Sequence, residues 1–498
     1  MEAKVFEYTI DGKIPYYVKE QSDFIEIPFR VDSNVDVLFI EFSSPEAGCK
    51  LGIGVADSTG YLRGWSAERR SKIYIAKGTA TPGYLPGDIP IGIWKVIVRL
   101  DSMVNGGCRY RLRIIGYRTV LGGITFDDVF RTLAYLTKNT NLIELVKGYS
   151  ELISIMNYTY PCRDYSGTYK GSKYVEDNPT WYRGDLHVHS IHSDGRNTVC
   201  EVITLARNRG LNFIALTDHN TVSQNYELNI DSYRDPIVIP GMEVTTFYGH
   251  MNIFNIKRYV DFRRKSREDF EKLIEEVHSD GGLISVNHPD LSREPMCRDC
   301  PFRYRDIKGF DAIEIWNGPW HILNSESLLW WHHLLTEGFR VTAIGGSDYH
   351  GVDLTRLGEP TTWVYANSCT IEGILNGIKM GRVYITYTPE EPLIDVKAIT
   401  NSGNSYMIGD SIRRADSSSI ELTIDIRKAK GFTLRIITSR DVYRAVEIPE
   451  HSFRYREKIE AKDHNFIRVE VGRYSDPYKL IPHNYDDIIA LINPLYIE

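Results

Sequence analysis

A chain of 498 residues exceeds what one hydrophobic core supports, so two to four domains are expected. Hydrophobic residues at 42% and charged residues at 25% fit an ordinary globular protein, no run approaches the roughly 18 apolar residues of a membrane span, and the opening MEAKVFEYTIDGK lacks the basic start and apolar stretch of a secretory signal. A net charge of -7 without a long basic run argues against nucleic acid as the main partner, and seven sparsely spaced cysteines suit reduced thiols in a cytoplasmic protein better than a disulfide scaffold.

Residues 1–120 read as a β-sandwich. Short alternating runs are separated by Gly and Pro, and Tyr110, Leu112 and Ile114 share one strand face while Arg109, Arg111 and Arg113 take the other. Over 121–180 the pattern turns helical, with Leu142, Leu145 and Val146 at the spacing of an amphipathic face, and then becomes a polar linker at 165–179. From 181 to 392, strand candidates FIALT (213–217), LISVN (283–287), AIEIW (312–316) and VTAIG (341–345) alternate with helical patterns. Thr198-x-x-Glu201 forms a capping signature before one of these, and Phe270, Leu273, Ile274 and Val277 mark another. This βα repetition predicts a parallel barrel or open sheet. Residues 393–498 return to period two, as in Ile420, Leu422, Ile424 and Ile426, and predict a second small β-domain.

All but three of the 14 histidines lie between His187 and His350. Structural histidines have no reason to favour one domain so strongly. Several close strand candidates: His187 and His189 in HVHSIHSDG, His219 in LTDHN, His288 in NHPD, His350 in GGSDYH. In βα domains those strand ends carry the working loops. His187 and His189, two apart on an extended segment, project from the same face, and Asp348 with His350 repeats that spacing. Glu243 in GMEVTT can bridge two cations, and Asp194 follows the paired histidines closely enough to turn back toward them. Nitrogen and oxygen ligands without nearby cysteines suit zinc, manganese or iron in an open site.

Taken in order, HVHSIHSDG, LTDHN, GMEVTT with GHMN, NHPD and GGSDYH resemble the signature of the PHP superfamily, named for its polymerase and histidinol phosphatase members. Segments RGWSAERR (63–70), ATPGYLPG (80–87) and GRVYIT (381–386) resemble its CehA/McbA-type metallohydrolase branch. The resemblance implies a distorted (β/α)7 barrel, flanked here by the N-terminal β-sandwich and the C-terminal β-domain, with two or three divalent metal ions (Zn, Mn or Fe) at the strand ends. Carried over, His187, His189, Glu243 and Asp348 hold a first ion. Glu243, His288 and His250 (or Asn252, depending on where a gap falls) hold a second. Asp194, His219 and His350 hold a third.

Clustered dications activate water and neutralise charge on a phosphoryl oxygen, so hydrolysis of a small phosphorylated metabolite or nucleotide is the leading expectation. Asp218, beside His219, is a candidate to orient second partners of the ligands, and Arg356 or Arg196 a candidate phosphate clamp, each weighed against a plain surface role. Carbamate or carboxylic ester hydrolysis is the alternative. A further alternative makes the sandwich a binding module on a catalytically weak barrel, with Trp65, Tyr84 and Trp94 as an aromatic platform, although aromatics in sandwiches are more often core. His192 reads as a loop histidine, while Cys297 and Cys300 form a CxxC without a second half, hence two free thiols. The length leaves no room for a polymerase core, and the oligomeric state is not encoded in any of these features.

Overall fold

Alternating apolar side chains at the N-terminus build two four-stranded antiparallel sheets in the computed structural model, which describes residues 2–66, 70–119, 178–228, 235–256, 258–291, 301–351, 356–416, 418–480 and 486–498. One sheet runs Glu2–Ile14, Cys108–Thr119, Val37–Ser43, Lys72–Ala76; the other runs Phe24–Val31, Gly92–Ser102, Lys50–Ala56, Leu62–Trp65. Ile27, Phe29, Ile53, Val55 and Trp94 of the second meet Leu38, Ile40, Ile73, Leu112 and Ile114 of the first in one core. Outside it, Arg109, Arg111 and Arg113 pair with Glu46, Asp11 and Glu7 at 2.6, 2.8 and 2.7 Å. The aromatic platform does not form: Trp65, Tyr84 and Trp94 are all buried, which removes the surface on which that binding role depended. The expectation of reduced thiols is also overturned. Cys49 and Cys108 form a disulfide, Cys200 is disulfide-bonded too, and among the described residues the buried Cys369 stands outside any disulfide. The helical connector and the CxxC at 297–300 lie outside the described residues.

The expected βα region forms a curled sheet whose strands follow chain order: Thr180–Val188, Phe213–Leu216, Ile237–Thr246, Gly249–Phe254, Leu283–Asn287, Ala312–Asn317, Thr342–Gly346. It curls until the end of the last strand returns to the first: Tyr349 bridges Val188, and its carbonyl accepts the His189 amide at 2.9 Å. The sheet is mixed rather than wholly parallel. Only Phe247 and Tyr248 separate Ile237–Thr246 from Gly249–Phe254, too few for a crossover, so these strands must pair antiparallel. Four helices of nine or more residues occur among the described residues: Val199–Asn208, Arg267–Ser279, Ile322–Thr336 and Ile371–Lys379. Seven βα repeats are therefore not all present there. Arg267–Ser279 starts at a Ser266/Asp269 capping box and buries Phe270, Leu273, Ile274 and Val277, the face read from its spacing.

The same sheet continues past residue 392. Thr361–Ala366 pairs with Thr180–Val188 and with Val383–Thr386, which pairs in turn with Asp487–Ile492, then Phe466–Arg473 and Thr433–Thr438. A separate four-stranded sheet (Ser405–Met407, Leu393–Thr400, Ser419–Arg427, Ser452–Glu460) shares a core with these strands through Ile420, Leu422, Ile424, Ile436 and Val469.

The chain divides into two compact units. One joins the N-terminal strands with Ile191–Val199 and Asp218–Leu228; the other contains the curled sheet and the C-terminal strands. No helix among the described residues is long and apolar enough to cross a membrane.

Candidate metal centre

Strand geometry places His187 and His189 on one face of Thr180–Val188 and its extension, both fully buried. Nε2 of His187 lies 3.4 Å from Glu243 Oε2 and 3.3 Å from Asp348 Oδ1. Nε2 of His189 lies 3.6 and 3.0 Å from the same two oxygens. The other oxygen of Glu243 faces a second pair, 3.2 Å from His250 Nδ1 and 3.4 Å from His288 Nε2. One buried carboxylate thus divides its two oxygens between two sets of imidazoles. His250 and Asn252 share a strand face, and the Asn252 amide donates to the Leu186 carbonyl at 3.2 Å. His350 turns Nδ1 to the Asp348 carbonyl at 2.7 Å and stacks its ring on His189 at 4.2 Å.

Two carboxylates that were not singled out in the sequence hold this arrangement. Glu314 accepts from His187 Nδ1 at 2.9 Å, which fixes the tautomer and leaves Nε2 facing the cluster. Its second oxygen accepts from the His288 amide and Asn317 Nδ2, both at 3.1 Å. Asp185 accepts from the amides of His187, Ser347 and Gly358 at 3.1, 3.1 and 2.8 Å, tying the 180–188 strand to the loop after 342–346. Burial pushes the Asp185 carboxyl up to about 6 against these hydrogen bonds. Asn287 adds a 2.9 Å hydrogen bond to Glu243 Oε1. Asp348 and His288 adopt positive φ of 52° and 26°, a strained backbone at two predicted ligands.

The donor set fits divalent metal. His187 Nε2, which faces Glu243 and Asp348, is enclosed without a hydrogen-bond partner. The 3.0–3.6 Å spacings match donors placed about 2.0–2.2 Å from a shared ion. Burial disfavours a charged His187, yet Glu314, Asp348 and Glu243 outweigh it and hold the ring's proton well above its ordinary range when no cation is present. The same negative field favours a cation.

Gly346 allows the close packing here. A Cβ at that position would collide with Glu314 Oε1 and His187 Cβ. Gly346→Ala is therefore expected to destabilise the protein by about 1–3 kcal/mol, measured by chemical unfolding, with wild-type stability counting against this packing.

In the other unit, Asp194 and His219 face each other at 3.5 Å. The buried Asp218 accepts from the amide and hydroxyl of Ser193 at 2.9 and 2.7 Å, so it positions the Asp194 loop. His192 is buried as well, 2.7 Å from Ser223 Oγ and 2.9 Å from Glu227 Oε1. Both loops contact segments that connect the N-terminal strands: the Gly83 amide donates to Ser223 Oγ at 3.0 Å, Thr221 donates to the Gly83 carbonyl at 2.9 Å, and Arg70 donates to the Ile191 carbonyl. Gly83 has φ +96°, and a Cβ there would meet backbone of Trp65 and His192. Arg196 and Arg356 are exposed.

Residues 185–295 match the PHP domain family. An uncharacterized protein of Methanocaldococcus jannaschii, MJ1587, is 24% identical over 147 residues, spanning 27% of this chain and 81% of its own. Similar solved structures include a two-domain protein from Bacteroides vulgatus containing a predicted PHP-like metal-dependent phosphoesterase, with 20% identity, a TM-score of 0.36, and coverage of 64% of this chain and 96% of that one. Another is an amidohydrolase from Chromobacterium violaceum with bound sulfate and no metal, with 20% identity, a TM-score of 0.25, and coverage of 33% and 87%.

Proposed function

We propose that the protein is a divalent-metal-dependent hydrolase acting on a small phosphorylated substrate as a phosphoesterase. The observation that carries this reading is Glu243, whose Oε2 faces His187 and His189 while Oε1 faces His250 and His288. Two ions held on either side of it would supply Lewis acidity and an activated water. On this reading His187, His189, Glu243 and Asp348 hold the first ion, and Glu243, His250 and His288 the second. His250 is preferred to Asn252 because its Nδ1 lies 3.2 Å from Glu243 Oε1. For Asp194, His219 and His350 the assignment to a third ion is that of the sequence resemblance. Glu314 orients His187, Asp218 positions the Asp194 loop, and Arg356 is the candidate phosphate clamp.

Purified protein should contain zinc, manganese or iron. Chelation should abolish hydrolysis of aryl phosphates, and one of these metals should restore it. Turnover of aryl carbamates or esters without phosphatase activity would replace the substrate class; absence of bound metal under all loading conditions would refute the reading. Glu314→Gln is expected to weaken metal binding about 10–100-fold, read by competition with a chelating indicator. Unchanged affinity would remove the orienting role of that carboxylate.

A further inference from the structure

A second buried ionic cluster lies far along the sheet from the histidines, where Thr433–Thr438 and Phe466–Arg473 face the helix Ile322–Thr336. Arg435 stands opposite Glu470 across these strands, and Arg468, two residues before Glu470, shares its face. All three side chains are at most 1% exposed. Glu470 Oε1 accepts from Arg468, while Oε2 accepts from the Tyr474 hydroxyl at 3.3 Å and lies 3.4 Å from Arg435 Nη1. Arg435 Nη2 donates to the carbonyls of Lys479 and Leu480 at 2.7 and 3.1 Å. Arg468 Nη2 reaches His332 Nδ1 at 3.4 Å.

The charges in this cluster do not cancel. Two guanidinium groups meet one carboxylate, and arginine stays protonated inside proteins. Burial, and then the Arg468 charge, pushes His332 down to about 3, so its ring is neutral and accepts the Arg468 hydrogen bond. Burial holds the Tyr474 phenol well above its ordinary range, so it is a neutral donor to Glu470. Among the described residues one positive charge of this cluster is left without a counter-charge in the interior, where an unpaired charge is costly. Hydrogen bonding is incomplete in the same place: Arg435 Nε and Arg468 Nε are enclosed without a hydrogen-bond partner, and Arg435 Nη1 has only the ion-pair contact to Glu470. The guanidinium faces are covered, Arg435 by Tyr474 at 4.3 Å and Arg468 by Trp331 at 5.4 Å, which leaves their edges to donate. A water could accept from those edges but would leave the charge uncompensated.

We propose that Arg435 and Arg468 form a buried binding site for a small monovalent inorganic anion of the halide class. Monovalency follows from the single excess charge. Small size follows from the enclosure of every contributing group, which leaves no open face for a metabolite. The site is distinct from the metal centre and does not depend on the hydrolase reading. It secures the contact between the C-terminal strands and the helix Ile322–Thr336.

Crystals of the full-length protein grown in sodium bromide, with data collected at the bromine edge, should show an anomalous peak within hydrogen-bond reach of Arg435 or Arg468. A water refined there without anomalous signal would overturn the proposal. In solution, replacing gluconate by chloride at fixed ionic strength should raise the unfolding temperature by a few degrees between about 1 and about 100 mM. Arg435→Met, which leaves Arg468 and Glu470 balanced, should abolish that dependence. Retention of the full chloride response in Arg435→Met, or its absence in the wild type, would refute the site. If the variant does not fold, the bromide experiment on the wild type decides alone.

Discussion

Glu243→Gln should strip the protein of most of its bound metal and lower hydrolytic turnover by at least about a hundred-fold, because loss of even an outer partner of a metal ligand costs about 10–100-fold. The side chain is fully buried, and the substitution is isosteric, so the effect comes from charge. A neutral amide cannot offer two equivalent anionic oxygens: one position becomes an NH2 donor pointing at imidazole nitrogens that need an acceptor or a cation. Both imidazole pairs are affected at once, whereas His187→Gln would affect one. Elemental analysis of the purified variant, beside steady-state rates, checks this. The control is Glu337→Gln, a surface substitution at the end of the 322–336 helix that should change neither. Metal content equal to wild type in Glu243→Gln would remove the bridge on which the proposed mechanism depends.

Cys49→Ser should destabilise the N-terminal strands by about 4 kcal/mol, the chain-entropy expectation for opening a loop of some 60 residues. The bridge closes a sequence separation of 59 residues and ties the start of Lys50–Ala56, in one sheet, to the start of Cys108–Thr119, in the other. Denaturant unfolding with and without reductant measures the loss, and thiol titration of the unfolded, unreduced protein should find Cys49 and Cys108 unreactive. Equal stability of wild type and Cys49→Ser under oxidising conditions would refute the contribution of this bridge.

Much of the site was legible in the sequence because its chemistry is periodic. His187 and His189 advertise a shared face by their spacing, and His288 and Asp348 follow strands whose apolar runs are unmistakable. The supporting residues were harder to read. Glu314 sits in AIEIW, where a charged residue between two isoleucines suggests the solvent side of a half-buried strand; in fact the strand is buried on both faces, and the carboxylate points at His187. The available signal was that every other member of that run is apolar. Asp185 gave less warning, since its partners are backbone amides of residues more than 150 positions away as well as a near neighbour. The disulfide was invisible for the same reason: spacing says nothing about which cysteines two packed sheets bring together. The strand and helix textures predict a parallel barrel or open sheet, and the family resemblance implies seven βα repeats, but the length of a connection decides between crossover and hairpin, and two residues at Phe247–Tyr248 allow only the hairpin.

The attachment of Ile191–Val199 and Asp218–Leu228 to the N-terminal strands affects how this protein can be dissected. Excising residues before 178 would remove Arg70 and Gly83, and with them the guanidinium that holds the Ile191 carbonyl and the backbone groups against which Thr221 and Ser223 are braced. The trimmed fragment would keep the candidate metal ligands yet lose the contacts that brace the segments carrying Asp194 and His219, so any shortened version that is to retain those two residues in place has to include the N-terminal sheets.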